Sequence, residues 1–353
     1  MRTPTAFGWE RMGRDSNPRG LFRPNTLSKR AHSTTLPPIR KCGVLLRGKC
    51  PRARTLFAAR EARAFSRSET RHKRQHFRHS APMFHVTILG SGSAGNCALV
   101  ESPKTRVLLD GGLSARQMRE RLGRCGVNPL EIDAILLTHE HSDHAGGLDV
   151  WCRQFGTPVY ANALTAGILR RASGHQKDWR IFVTGGDFQI KDIAVQTFSV
   201  PHDAMDPVGF VLHHNRESLG FLTDLGFATK LACERVRQAH TLVIEANHDE
   251  KLLQNDTRRP WATKQRIMSR HGHLSNAAAA GVLAEMLGGN LHRAVLGHLS
   301  RDCNTADLAS RTVRDRMNGE GAAPDSVEVF VATQREVSPR FAVGRTDAAT
   351  AAA

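Results

Sequence analysis

Apolar residues are unevenly spread along the 353-residue chain. From residue 83 onward, apolar runs bounded by turn-forming residues recur at short intervals, the pattern of buried strands. They predict strands at 84–89, 97–102, 105–110, 132–138, 158–161, 195–201, 208–214, 218–223, 241–246, 293–298 and 327–333. Helical periodicity predicts helices over 114–125, 144–155, 163–172, 228–239, 275–287 and 305–317. Adjacent strands come first, then strand–helix alternation, then a second group of consecutive strands. That order suggests an α/β architecture of sheets covered by helices rather than one Rossmann unit.

Upstream of residue 83 neither periodicity is sustained. Residues 1–82 carry 20 basic and 4 acidic side chains, with runs such as RHKRQHFRHS. Such composition predicts a disordered basic extension, or translated sequence ahead of a true start at Met83. A nucleic-acid-touching tail and a targeting peptide are the other readings. Residues 83–343 are expected to form the functional domain and 344–353, ending TDAATAAA, a frayed tail.

The formal charge of +17 would ordinarily indicate a polyanionic partner, yet residues 83–353 hold 30 basic and 29 acidic side chains. The excess therefore belongs to the extension. An apolar fraction of 40% excludes a wholly disordered chain. Seven cysteines without paired CxxC spacing exclude a disulfide framework and point to the reducing cytoplasm. No apolar run reaches the roughly 18 residues of a membrane helix, so no membrane partner is expected.

Candidate chemistry is densest after the apolar run IDAILL, where THEHSDHAGG places His139, His141, Asp143 and His144 within six positions. Imidazole and carboxylate together suit zinc, manganese or iron, whereas calcium would want mostly oxygen ligands. His202, Asp224 and His298 each stand where another apolar run ends. An isolated histidine is usually a satisfied core or surface residue and an aspartate beside glycine a turn former, but their shared position suggests one assembled site.

The THEHSDHAGG run resembles the His-x-His-x-Asp-His signature of the metallo-beta-lactamase superfamily, and His202, Asp224 and His298 follow in that family's order. GSGSAGN at 90–96, LLDGG at 108–112, PHDAMDPVGF at 201–210, IEANHD at 244–249, GHLSN at 272–276 and GHLSRDCN at 297–304 resemble its YycJ/WalJ-like branch. The resemblance covers 83–353 and none of 1–82. It implies an αββα four-layer sandwich with two divalent metal ions, zinc or manganese with iron as a further option, at one edge between the sheets. It also implies that His139, His141 and His202 hold the first ion, that Asp143, His144 and His298 hold the second, and that Asp224 bridges them. Two departures are mild: Ala94 stands where serine is frequent and Cys303 where asparagine is, so a supporting contact differs.

The resemblance further implies a metal-dependent phosphodiester hydrolase, a 5′-to-3′ DNA exonuclease, in which Asp143 and Asp224 orient the activated hydroxide. His273, left without a ligand role, is either the proton donor to the leaving oxygen or a helix-edge residue supporting Ser275 as N-cap. Asp110 is expected to orient a ligating histidine. Glu245, Asn247 and His248 are expected beside the site, and the glycine loop 90–96 is either a phosphate cradle or simply a tight turn. Basic groups at Arg170, Arg171, Lys177 and Arg180 and at Arg258, Arg259, Lys264 and Arg266 favour a DNA partner, unless they are ordinary solvated faces. The alternatives are a phosphodiesterase for cyclic nucleotides or phosphorylated sugars, and a non-catalytic binding protein, which loss of a ligand would have supported.

Overall fold

The computed structural model describes residues 84–173, 176–321, 323 and 326–344. The extension expected over 1–82, and all of the expected tail except Gly344, lie outside these residues. Two seven-stranded sheets face each other. The first contains β1 (His85–Gly90), β2 (Cys97–Glu101), β3 (Arg106–Leu109), β4 (Ala134–Leu136), β5 (Val159–Asn162) and β6 (Trp179–Phe182) side by side. The second runs in the same fashion through β7 (Asp187–Ile190), β8 (Ile193–Ser199), β9 (Val208–His214), β10 (Glu217–Leu222), β11 (Thr241–Glu245), β12 (Arg293–Gly297) and β13 (Glu328–Val331). A short β14 (Phe341–Ala342) returns to pair antiparallel with β1, closing the first sheet's edge.

Each sheet begins as an antiparallel meander and becomes parallel from β3 to β6 and from β10 to β13. Parallel neighbours need long crossovers. Those crossovers supply α1 (Ala115–Arg124), α2 (Ser142–Ala145), α3 (Leu148–Phe155) and α4 (Ala163–Ala172) on one side of the sandwich. On the other lie α5 (Lys230–Val236), α6 (Glu250–Asn255), α7 (Trp261–Ile267), α8 (Asn276–Ala284) and α9 (Ala306–Gly319).

The continuous apolar runs are explained by burial on both strand faces. On β2, Ala98 and Val100 enter the core between the sheets, while Cys97 and Leu99 face Met118, Leu122 and Trp151 of the first helical layer. On β11, Val243 points between the sheets, whereas Leu242 and Ile244 pack on Ala279, Leu283 and Val313. Three buried clusters therefore separate four layers, the αββα sandwich. Helix starts are defined chemically: Ser114 and Gln117 form a capping box, and Asn162, Ser275 and Thr305 cap α4, α8 and α9.

Several expected elements need correction. The helix expected over 144–155 is two helices, because the Gly147 N–H leaves the helical ladder and donates to Gly111 O at 2.8 Å, a close approach to the β3 loop that a Cβ at Gly147 would block against the Leu113 carbonyl. β6, β7 and β14 lack the continuous apolar run that marks the inner strands, as their sheet-edge positions permit. α6 and α7 were not expected either; each is under two turns long, with Pro260 capping the second.

Candidate metal centre

The loops after β4, β8, β10 and β12 converge at one edge of the sandwich. The chain leaves β4 through Thr138, and within six residues His139, His141, Asp143 and His144 have turned into the cleft. Opposite, single side chains arrive: His202 after β8, Asp224 after β10 and His298 after β12. Asp224 and His298 have φ of 57° and 54°, the left-handed conformation that non-glycine residues seldom adopt. Asp110, ending β3, shares it at 61°. Such backbone costs about 1–3 kcal/mol per residue and is retained where it aims a functional group.

Three of the groups formed can each hold a cation: His139, His141 and His202; Asp143, His144 and His298; and His139, His144 and Asp224. Asp224 also belongs to a fourth, with Glu245, His273 and His298. Its Oδ2 stands 3.0 Å from His144 Nε2, and its Oδ1 lies 3.5 Å from His298 Nε2, 3.6 Å from His273 Nδ1 and 3.9 Å from His202 Nε2. All seven residues expected to hold metal are thus brought together around one carboxylate.

Hydrogen bonds define which ring nitrogen faces the cleft. Asp110 Oδ2 accepts from His144 Nδ1 at 2.8 Å, and Gly272 O accepts from His202 Nδ1 at 3.0 Å, so both rings turn Nε2 toward the cleft. The Thr138 hydroxyl donates to Asp110 Oδ1 at 2.9 Å, so His139 Nδ1, 3.0 Å from Thr138 Oγ1, donates to that hydroxyl oxygen. His139 Nε2 is buried and has no hydrogen-bond partner among the described residues. Buried polar atoms are rarely orphaned, and a divalent cation satisfies this one. The donor set fits zinc, manganese or iron.

Electrostatics without metal separate the histidines. Burial, reinforced by His144, holds His139 well below its ordinary pKa, and burial lowers His202 also. Burial would lower His144 too, but the carboxylates of Asp224 and Asp110 outweigh it and hold that ring well above its usual range. Burial alone would raise Asp224; His298 and His144 overcome it and keep the carboxyl well below. For His273, burial is overcome by Glu245, whose Oε1 accepts from Nδ1 at 2.6 Å, and the ring is raised to about 9.

Expected supporting residues divide. Asp110 orients His144, Glu245 anchors His273, and Asn247 donates to His298 O at 2.8 Å. His248 is buried and pairs in a backbone bridge with Ser275. Ser275 caps α8 through its own hydroxyl, and the His273 ring contacts Glu245 instead. The glycine loop mainly braces: Asn96 N–H donates to Asp143 O at 2.7 Å, and Ser91 Oγ accepts from His298 N at 2.7 Å. Gly112 has no room for a Cβ against the Asp143 carbonyl. Of the two departures, Ala94 N donates to Gln334 Oε1, and buried Cys303 lies 3.4 Å from Arg259 Nη1.

The basic groups differ from expectation. Arg259 pairs with Asp256 and Asp302, Arg258 with the same two carboxylates and Arg266 with Asp203, while buried Lys264 donates to Gln254 O. Lys177 pairs with Asp149 and Arg180 with Asp178, and Arg170 lies over Trp179. Arg301 and Arg335, which have no ion-pair or hydrogen-bond partner among the described residues, were not singled out because nothing in sequence separates a paired arginine from a free one.

Residues 105–299 match the family described as beta-lactamase superfamily domain. The chain belongs to the metallo-beta-lactamase superfamily. It is 34% identical over 239 residues to exodeoxyribonuclease YycJ of Bacillus anthracis, a match covering 67% of this chain and 90% of that one. Against exodeoxyribonuclease WalJ of Streptococcus pneumoniae it is 36% identical over 240 residues, covering 66% and 88%. The metallo-beta-lactamase fold protein YhfI from Bacillus subtilis has the same fold, with a TM-score of 0.56 at 15% identity, covering 73% of this chain and all of that one. Family and ligand cluster together make the chain a metal-dependent hydrolase with a dinuclear divalent site. Among the described residues no helix is long and apolar enough to cross a membrane.

Proposed function

We propose that this chain is a 5′-to-3′ DNA exonuclease that hydrolyses phosphodiester bonds at its dinuclear centre. The observation that carries the reading is its 34–36% identity to exodeoxyribonucleases across 88–90% of their length. In this reading His139, His141 and His202 hold one ion, Asp143, His144 and His298 the other, and Asp224 lies between both. When bound, two divalent ions would lower the pKa of a coordinated water and balance the charge on the phosphodiester.

The protein's own groups do the rest. Asp110 and Gly272 O keep His144 and His202 turned with Nε2 toward the cleft. The carboxylates of Asp143 and Asp224 would accept hydrogen bonds from the attacking water and so orient it. His273, lining the same pocket with Nδ1 anchored on Glu245, has Nε2 available to give a proton to the departing oxygen. Free cysteines at 97, 125, 152, 233 and 303 suit a reducing cytoplasm.

The test is digestion of end-labelled single- and double-stranded DNA by the full chain with manganese or zinc, an Asp143→Ala variant serving as control. Stepwise shortening from the 5′ end, absent in the control, is the expected result. Shortening from the 3′ end would overturn the polarity. No cleavage by a protein that retains two metals would overturn the DNA reading in favour of a small phosphodiester.

A further inference from the structure

Beside the metal pocket lies a second cavity, about 460 Å³, that the chemistry above does not use. The two share Ser93 and Ser300 in their walls and are therefore adjacent. Their linings differ sharply. The metal pocket, about 310 Å³, is walled by histidines, carboxylates and arginines that already have partners. The neighbouring cavity has apolar walls from Ala94, Leu299 and Val331, and carries Arg301 and Arg335 against one carboxylate, Glu336. Neither arginine has an ion-pair or hydrogen-bond partner among the described residues.

A diester cut within a strand brings more than its phosphate: a sugar, a base and the next phosphate must go somewhere. Apolar walls suit sugar and base, and a cavity of this size falls in the ordinary ligand-binding range of about 300–1,000 Å³. Guanidinium groups suit the next phosphate and stack on bases. We infer that this cavity is the nucleotide subsite of the enzyme, seating the nucleoside next to the scissile phosphate while Arg301 and Arg335 engage the flanking phosphate. This rests on the exonuclease reading.

The cavity also indicates how a base is treated there. Gln334 spends its amide on Ala94 N at 2.9 Å and Gly95 O at 2.8 Å, and Asn304 spends its Nδ2 on Ala246 O and Asn247 O. With both lining amides spent and Arg301 and Arg335 assigned to phosphate, neither group is left to read base edges, so occupancy is expected to be sequence-tolerant.

The test compares metal-loaded full-length wild type with Arg301→Glu/Arg335→Glu and with Ala94→Trp, which fills the cavity from an exposed position. Substrates are a 5′-phosphorylated single-stranded 20-mer in several sequences and bis(p-nitrophenyl) phosphate, which has no nucleoside to seat. Both variants should keep two metals and the wild-type melting temperature. KM for DNA should rise at least about tenfold with kcat within about twofold, and the preference for DNA over the small diester, as a ratio of kcat/KM, should fall in step. For the double variant, log KM should depend less steeply on log salt by about 0.7, the share of one single-strand phosphate. An unchanged preference in correctly folded, metal-loaded variants overturns the subsite alone, as does a preference lost only for certain sequences. A wild type that hydrolyses the small diester but no DNA overturns the exonuclease reading and the subsite with it.

Discussion

The two sheets build their shares of the cleft in opposite ways. The first sheet delivers His139, His141, Asp143 and His144 from one loop after β4, so a single backbone path sets four side chains at once. The second delivers His202, Asp224 and His298 one at a time from three strand ends, and two of these sit in left-handed backbone. The first half therefore depends on how its loop is braced from outside, by Asp110, Asn96 and the bare Gly112. The second half is held by the sheet itself and depends on each strand end separately.

The contrast can be broken most forcefully at Asp224, which reaches both halves. Asp224→Ala should abolish hydrolysis and lower bound metal from two ions toward one or none, measured by mass spectrometry of the metals against protein. His273→Ala should leave metal content intact and depress DNA turnover by about 100-fold, the ordinary worth of a positioned acid. Loss of metal in that variant would mean that His273 serves as a ligand.

Bracing is tested next. Asp110→Ala removes the acceptor of His144 Nδ1 and should weaken metal affinity about 10–100-fold, read by competition with a chelating dye. Turnover should recover when metal is supplied in excess. Gly112→Ala forces a methyl group against the Asp143 carbonyl; overpacking of this kind costs about 1–3 kcal/mol. It should lower the melting temperature by a few degrees and loosen the Asp143/His144 half while sparing the His202 contact with Gly272. Gly281→Ala, inside α8 where a Cβ meets nothing within 4 Å, is the matched control and should leave metal content unchanged and the melting temperature unchanged or slightly higher. The smallest effect is at Cys152, whose thiol burial pushes up to about 11. In the folded protein it should resist iodoacetamide at pH 8, and it should react once the chain is unfolded.

The inner strands and the dense His-Asp loop were both written in local pattern. Burial on both faces demands continuous apolar runs, and a four-ligand loop is adjacent in sequence as well as in space. Edge strands β6 and β7, the short helices α6 and α7 and the break at Gly146-Gly147 were not legible, because neighbours distant in the chain decide them.

For His202, Asp224 and His298 local pattern said only that each ends a strand; the resemblance to a family grouped them, and the sheets bring His202 and His298 to the Asp224 carboxylate. Local pattern already carried four candidate ligands, three histidines and an aspartate, in one loop, the layered α/β class and a basic extension distinct from a near-neutral remainder. Tertiary structure alone decided which nitrogen each imidazole turns inward, because that depends on Asp110, Thr138 and Gly272. It alone decided which arginines remain free. Charge in a sequence is a count, whereas charge available to a ligand is what remains after every nearby carboxylate has taken its partner, and only packing settles that remainder.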